Sequence, residues 1–225
     1  MSGVAHVRLA PRTLRDALRF FIVQPSPRIL VAFTALALIV RLLLGEWRAV
    51  DGWIVLAVIL WWPVQERLVH EFLLHMEKPL TIGPLSIHPI QAAKHLEHHR
   101  DPWRADVLFI YPGVYKYALP ATVLLWLAAT RDLRLALTGA TTYLCTVMQY
   151  EWTHFLIHTP YVPRSAWYRR RWRNHRLHHF KNDEYWFGVT TLIGDAVFRS
   201  APEAAAVPYL AHCRGIAAED AVADA

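Results

Sequence analysis

Four apolar runs divide the chain into two pairs. The first pair consists of residues 29–44 and 53–64, separated by a short polar loop. The second pair consists of residues 118–129 and 133–150, joined by three polar residues. Each run is shorter than the roughly 20 apolar residues that span a bilayer, so re-entrant or interfacial helices are an alternative. The pairing nevertheless predicts an all-α integral membrane protein with four transmembrane helices in two hairpins.

The segments outside these runs complete the predicted organisation. Gly and Pro punctuate residues 76–113, which are therefore predicted to form short helices and turns. A length of 225 residues suits one domain. We predict a basic N-terminal segment over residues 1–28, one membrane-embedded domain over residues 29–200 and a tail over residues 201–225.

Composition supports the membrane interpretation. Hydrophobic residues make up 55% of the chain and charged residues 19%, which excludes a disordered polymer and disfavours a soluble globule. The formal net charge of +6 suits anionic lipid headgroups better than nucleic acid in so apolar a chain, and no nucleic-acid partner is expected. Cys145 and Cys213 lie too far apart in sequence to suggest a disulfide framework or a CxxC metal site.

Basic residues predict the orientation in the membrane. Lys and Arg concentrate in residues 1–28 and 164–181, whereas the two hairpin loops hold few. Because basic flanks stay on the cytoplasmic side, both termini and residues 76–113 are predicted to be cytoplasmic. The excess of Arg over Lys is typical of a GC-rich bacterial genome and indicates a bacterial inner membrane, with the endoplasmic reticulum membrane as the eukaryotic alternative.

Histidines carry the candidate chemistry. Ten of the thirteen fall into four clusters that alternate pair, triplet, pair and triplet beyond the ends of apolar runs. Neutral imidazole is the commonest metal ligand in proteins, and residues three or four apart share one helical face. The clusters comprise His70 and His75; His95, His98 and His99; His154 and His158; and His175, His178 and His179.

The spacing constrains the kind of site. His70 and His75 are five positions apart, which places them about 140° apart around an ideal α-helix, so these two converge only through a local distortion or approach different ions. Ten imidazoles are too many for one tetrahedral zinc and suit two metal ions, with iron and oxygen chemistry favoured over structural zinc. The HExxH motif of zinc proteases is not met, which excludes that class.

Other residues near the clusters could support the site. Four carboxylates are candidates for holding the ligand nitrogens that face away from the metal, with a solvated helix face as an equally weighted alternative. They are Glu71, Glu97, Glu151 and Asp195. The basic run at residues 169–173 is interpreted as an anchor on anionic lipid.

The order of the clusters resembles that of the fatty acid hydroxylase/sterol desaturase superfamily of membrane di-iron oxygenases. Its hallmark is HxxxxH or HxxxH, then HxxHH, HxxxH and HxxHH, and the likeness covers about residues 65–200. The stretches YEWTHFLIH at 150–158, FGVT at 187–190 and HLEHHRDP at 95–102 are similar to the fatty acid 2-hydroxylase branch.

The resemblance implies a function. The ten clustered histidines would bind two iron ions and form the catalytic centre in a cytoplasmic helical cap above the four-helix stalk. Such enzymes use O₂ and two electrons to insert one oxygen atom into a C–H bond of a lipid acyl chain, with the 2-position of a fatty acid or acyl lipid as one candidate. No cytochrome b5 domain is apparent here, so the electrons are expected from a separate cytochrome b5-like or ferredoxin-type protein.

Two alternatives remain open at this point. Another member of the superfamily would hydroxylate or desaturate a sterol, a carotenoid or an aminolipid. A membrane metal transporter is the non-enzyme alternative, and it predicts ionisable residues along a path through the bilayer midplane. The apolar runs are nearly free of such residues.

Overall fold

The computed structural model describes residues 11–213. Residues 1–10 of the predicted basic segment, including His6 and Arg8, and residues 214–225 of the predicted tail lie outside the described residues. Between them the chain is mostly helical. The α-helices, in chain order, are α1 (Leu14–Ile22), α2 (Pro25–Leu44), α3 (Ala49–Leu68), α4 (Ile90–Arg100), α5 (Ala105–Leu108), α6 (Tyr115–Thr130), α7 (Leu133–Ile157), α8 (Ala166–Phe180) and α9 (Ile193–Phe198).

Shorter elements connect these helices. A π-helix over Val69–Leu74 continues α3, and 3₁₀ turns occupy Pro112–Val114 and Ala204–Ala206. Strands β1 (Leu80–Ile82) and β2 (Leu85–Ile87) pair antiparallel between the π-helix and α4.

The β-hairpin departs from the predicted short helices and turns of residues 76–113. Its two strands alternate apolar and polar residues, and Gly83 begins the two-residue turn with a φ of +58°. Gly at the first turn position, followed by Pro84, suits a tight hairpin. Local turn chemistry therefore explains this exception to an all-helical fold.

Helix α7 lies at the centre of the bundle, where α2, α3 and α6 contact it. Leu30 of α2, Leu119 of α6 and Leu144 of α7 share one buried apolar cluster. Gly139 lets α6 approach α7 closely, since a Cβ there would lie 2.3 Å from the Trp126 ring. The amphipathic helix α1 packs through Phe21 against the end of α7.

Three stretches are long and apolar enough to cross a membrane. They are Pro25–Leu44, Ala49–Leu74 and Ala105–Thr130. Within residues 11–213, α7 does not meet that criterion, although its 25 residues are long enough. It carries many threonines and packs among other helices, which reduces its need for an apolar surface. The mostly helical fold is confirmed, three stretches have the length and composition of membrane spans, and the fourth span remains a prediction.

Candidate metal centre

The π-helix resolves the geometry of the first histidine pair. The backbone N–H of His75 donates to the carbonyl of His70 at 3.2 Å, the hydrogen bond between residues five apart that defines a π-turn. The two rings lie 5.2 Å apart between centroids, whereas an α-helix would separate them by about 140°. The predicted local distortion is therefore present.

The other clusters lie on three helices that end near this π-helix. His154 and His158 lie at the end of α7, and the triplets lie on α4 and α8. Both α4 and α8 are polar helices, yet each buries all three of its clustered histidines. Nine of the ten clustered histidines are buried, and His75 is partly buried. Polar helices whose buried residues are mainly histidines indicate a site rather than an apolar core.

The ring nitrogens converge into two groups, each with its ligand atoms within 4.8 Å of one another. The five-histidine group contains His70, His75, His95, His99 and His178, and the four-histidine group contains His98, His154, His158 and His179. The remaining clustered histidine, His175, lies beside the four-histidine group, with its Nε2 3.1 Å from Nε2 of His179.

The spacing of these nitrogens fits metal ligation. Nε2 of His95 lies 3.0 Å from Nε2 of His70 and 3.1 Å from Nε2 of His99. In the other group, Nε2 of His98 lies 3.3 Å from Nε2 of His158. Metal–nitrogen bonds of about 2.0–2.1 Å at angles of about 90–110° place two ligand atoms about 2.8–3.4 Å apart. The residues present therefore fit two metal ions.

The electrostatic environment also suits ligation. Burial lowers the pKa of the six clustered histidines on α4 and α8 well below its ordinary value, and neighbouring imidazoles add to the effect. These rings are therefore neutral near pH 7, the form that binds metals. The Nδ1–H of His70 donates to the carbonyl of Phe187 at 2.6 Å, and that of His178 to the carbonyl of Tyr185 at 2.7 Å. In both histidines this hydrogen bond leaves the Nε2 lone pair free and directed into the five-histidine group.

The four predicted carboxylates differ in their contacts. Glu71 pairs with Arg67, and Glu97 pairs with Lys94 at 2.9 Å and with Arg104 at 3.0 Å. These two carboxylates thus contact cations rather than imidazole nitrogens.

The other two are buried. Glu151 accepts from the hydroxyl of Ser26 at 2.5 Å and from the backbone N–H of Ile110 at 2.8 Å. Asp195 accepts from the backbone N–H groups of Phe187 and Gly188, and burial raises the pKa of its carboxyl group.

Glu66 was not singled out by the sequence pattern. It is buried on α3, one turn before His70, and accepts from the indole N–H of Trp62 at 3.0 Å and the backbone N–H of Val189 at 2.6 Å. A lone acidic residue near the end of an apolar helix was the available signal.

Of the three histidines outside the clusters, the two that lie within residues 11–213 contribute no ligand to either group. His88 hydrogen-bonds to the backbone carbonyl of Met76 at 2.9 Å, and His212 lies 2.9 Å from the Asp183 carboxylate. His6 lies outside the described residues.

An apolar cavity of about 280 Å³ extends from the histidines between α3, α6 and α7. His95 of the five-histidine group and His154 of the four-histidine group both line it. Leu119, Leu144 and Val147 line the part within the helical bundle. A flexible apolar chain in this cavity would therefore reach both groups.

Comparison with known proteins identifies relatives. Residues 54–200 match the profile of the family described as fatty acid hydroxylase. The chain is 26% identical over 149 residues to fatty acid 2-hydroxylase of Rattus norvegicus, covering 66% of this chain and 39% of the rat protein. It is 26% identical over 151 residues to dihydroceramide fatty acyl 2-hydroxylase FAH2 of Arabidopsis thaliana, covering 67% and 61% of the two chains.

A solved structure has a similar fold. Full-length scs7p, in which only the hydroxylase domain is visible, matches with a TM-score of 0.61 at 22% sequence identity. The match covers 81% of this chain and 66% of that chain. This chain therefore spans less than two thirds of the length of each of these relatives.

Proposed function

The chain belongs to the fatty acid hydroxylase family, a family of oxidoreductases, and on that premise we propose that it is an O₂-dependent di-iron hydroxylase of lipid acyl chains. In the proposed reaction one oxygen atom enters a C–H bond of the chain, the other leaves as water, and two electrons and two protons are consumed. The observation that carries the proposal is the convergence of two histidine groups on one end of an apolar cavity.

The ten clustered histidines would hold the metal ions. Two bound irons would supply the activation of O₂, for which a site rich in neutral imidazole with open positions is suited. Carbonyl hydrogen bonds to His70 and His178 keep their Nε2 atoms aimed inward. Burial of the site excludes water from the reacting carbon.

The cavity would bind the substrate. Its apolar lining among α3, α6 and α7 suits an acyl chain that enters from the bilayer, and its contact with both histidine groups would place one carbon beside the metals. The 2-position of a fatty acid or acyl lipid is the carbon we propose, by analogy with the rat and plant relatives named above. A separate cytochrome b5-like or ferredoxin-type protein is the proposed electron donor.

The proposed placement follows the charge pattern. Residues 29–200 form the hydroxylase domain, α7 is the fourth span, and the histidine side faces the cytoplasm together with both termini. The excess of Arg over Lys supports a bacterial inner membrane as the location.

Lipid mass spectrometry tests the proposal. Cells that express the chain together with native electron-transfer proteins should gain a lipid class heavier by one oxygen atom, and His178→Ala cells should not. Loss of two hydrogens instead of gain of oxygen would identify a desaturase. An unchanged lipid profile with two irons bound and electrons supplied would contradict the proposed activity.

A further inference from the structure

The 185–190 segment, between α8 and α9, contacts the site through its backbone. Its carbonyls accept the Nδ1–H of His178, at Tyr185, and of His70, at Phe187. Both histidines belong to the five-histidine group. The position of this segment therefore fixes two ligands of a single group.

Two buried carboxylates hold the segment from different helices. Glu66 on α3 accepts the backbone N–H groups of Val189 at 2.6 Å and Thr190 at 2.9 Å. Asp195 on α9 accepts the backbone N–H groups of Phe187 at 3.1 Å and Gly188 at 2.9 Å. Four consecutive backbone donors are thus satisfied by two carboxylates, each less than 6% exposed. Charged acceptors make such hydrogen bonds stronger than neutral ones.

Further contacts fix the carboxylates and the segment. The hydroxyl of Ser200 donates to Asp195 at 2.7 Å, and the guanidinium of Arg171 donates to the Thr190 carbonyl at 2.5 Å. A Cβ at Gly188 would lie 2.3 Å from the carbonyl oxygen of Thr191, so only glycine fits there. The segment is therefore held on both sides.

The four-histidine group has less support of this kind. Among the described residues, Nδ1 of His98, His158 and His179 has no hydrogen-bond partner, and His154 is the member of this group that hydrogen-bonds to a backbone carbonyl, that of Leu108. A carbonyl on the distal nitrogen fixes the ring and raises its basicity, and loss of such a partner typically costs 10–100-fold in metal affinity. The two groups therefore differ in how firmly their rings are oriented.

We propose that Glu66 and Asp195 are positioning residues that act through the 185–190 segment to orient His70 and His178, and so make the five-histidine group the tighter of two metal sites. This inference rests on the proposed function only in requiring that both groups bind metal.

Cobalt(II) titration of the metal-free, detergent-solubilised chain tests it. We expect two binding phases in the visible absorption of the wild-type protein, with His178→Ala removing the tighter phase and His98→Ala leaving it. Glu66→Gln and Asp195→Asn should weaken the tighter phase alone by about 10–100-fold. Glu203→Gln, at an exposed carboxylate, is the matched control and should change neither phase.

The outcomes separate the two claims. Uptake of fewer than two cobalt ions per wild-type chain contradicts the proposed function. Uptake of two ions in a single phase, or two phases that Glu66→Gln and Asp195→Asn leave unchanged or weaken equally, overturns this inference alone. If either variant fails to elute as a monodisperse species, Ser200→Ala replaces it in the titration. This variant removes one hydrogen bond to Asp195 and should weaken the tighter phase, by less than Asp195→Asn would. An unaltered tighter phase in Ser200→Ala would then overturn the inference.

Discussion

The end of the bundle away from the histidines contains a buried ion pair, and removal of one partner alone should strongly destabilise the protein. The guanidinium of Arg41 on α2 is 1% exposed and lies 2.8 Å from the carboxylate of Asp51 on α3. It also donates to the hydroxyl of Thr138 on α7 at 2.8 Å and lies 3.7 Å from the centroid of the Trp47 ring. The pair thus joins the three helices.

Asp51→Ala would leave this cation buried without its partner, at a cost of about 3–5 kcal/mol. It would also remove the acceptor for the backbone N–H of Arg48 at the start of α3, at about 1 kcal/mol. The expected loss in the free energy of unfolding is therefore about 4–6 kcal/mol. The exposed pair between Arg48 and Asp132 provides a comparison, because removing it with Arg48→Ala should cost about 0–1 kcal/mol.

Thermal unfolding in detergent, followed as loss of the monodisperse fraction, checks the ranking. We expect Arg48→Ala to melt close to the wild type and Asp51→Ala to melt far below it. The double variant Arg41→Met/Asp51→Leu should recover most of the loss, since it leaves no buried charge unpaired. The reasoning would be refuted if Asp51→Ala melted with Arg48→Ala, or if the double variant were less stable than Asp51→Ala.

Three further predictions concern the site. His178→Ala should retain one metal ion per chain and lose at least about 100-fold in the rate of lipid hydroxylation, since loss of a ligand costs at least as much as loss of its supporting contacts. Elemental analysis and turnover measurements check this, with His88→Ala as the control. Retention of both metal ions in His178→Ala would contradict the prediction. Because burial lowers the pKa of the six histidines on α4 and α8 below 6.5, the unfolded chain takes up protons that the folded chain does not as the pH falls below 6.5. The metal-free protein should therefore lose up to about 1.4 kcal/mol per pH unit per histidine below that pH, and equal melting temperatures at pH 7.5 and 5.5 would exclude this. Val147→Trp should fill the apolar cavity and slow turnover about fivefold or more at unchanged metal content, as overpacking of about 1–3 kcal/mol implies. Undiminished turnover would argue against the cavity as the acyl site.

Local spacing predicted the histidine clusters because ligands three or four residues apart must share a helical face. The number of clustered imidazoles, ten, pointed to two metal ions before any tertiary contact was considered. The same helical geometry indicated that His70 and His75 either converge through a distortion or approach different ions, and the π-helix supplies the distortion. What spacing did not determine was the partition of the clusters, since the triplet on α4 contributes to both groups.

Contacts between distant residues were beyond sequence reasoning. Glu66 holds backbone more than 120 positions away, and the carbonyl that accepts from His70 has no side-chain signature. Carboxylates adjacent to histidines in sequence, such as Glu71 and Glu97, proved to contact cations. Neighbours in sequence on a helix point to different faces, so adjacency was a poor guide to contact.

We propose that the histidine groups direct oxygen from O₂ into a lipid, and labelling with ¹⁸O₂ tests this most directly. The iron-loaded, reconstituted protein is supplied with ¹⁸O₂, an electron donor and a lipid extract, and the lipids are analysed by mass spectrometry. We expect one ¹⁸O atom in an acyl chain with the wild-type protein and none with His178→Ala. Unlabelled product, or equal labelling with His178→Ala, would exclude this role of the histidine groups.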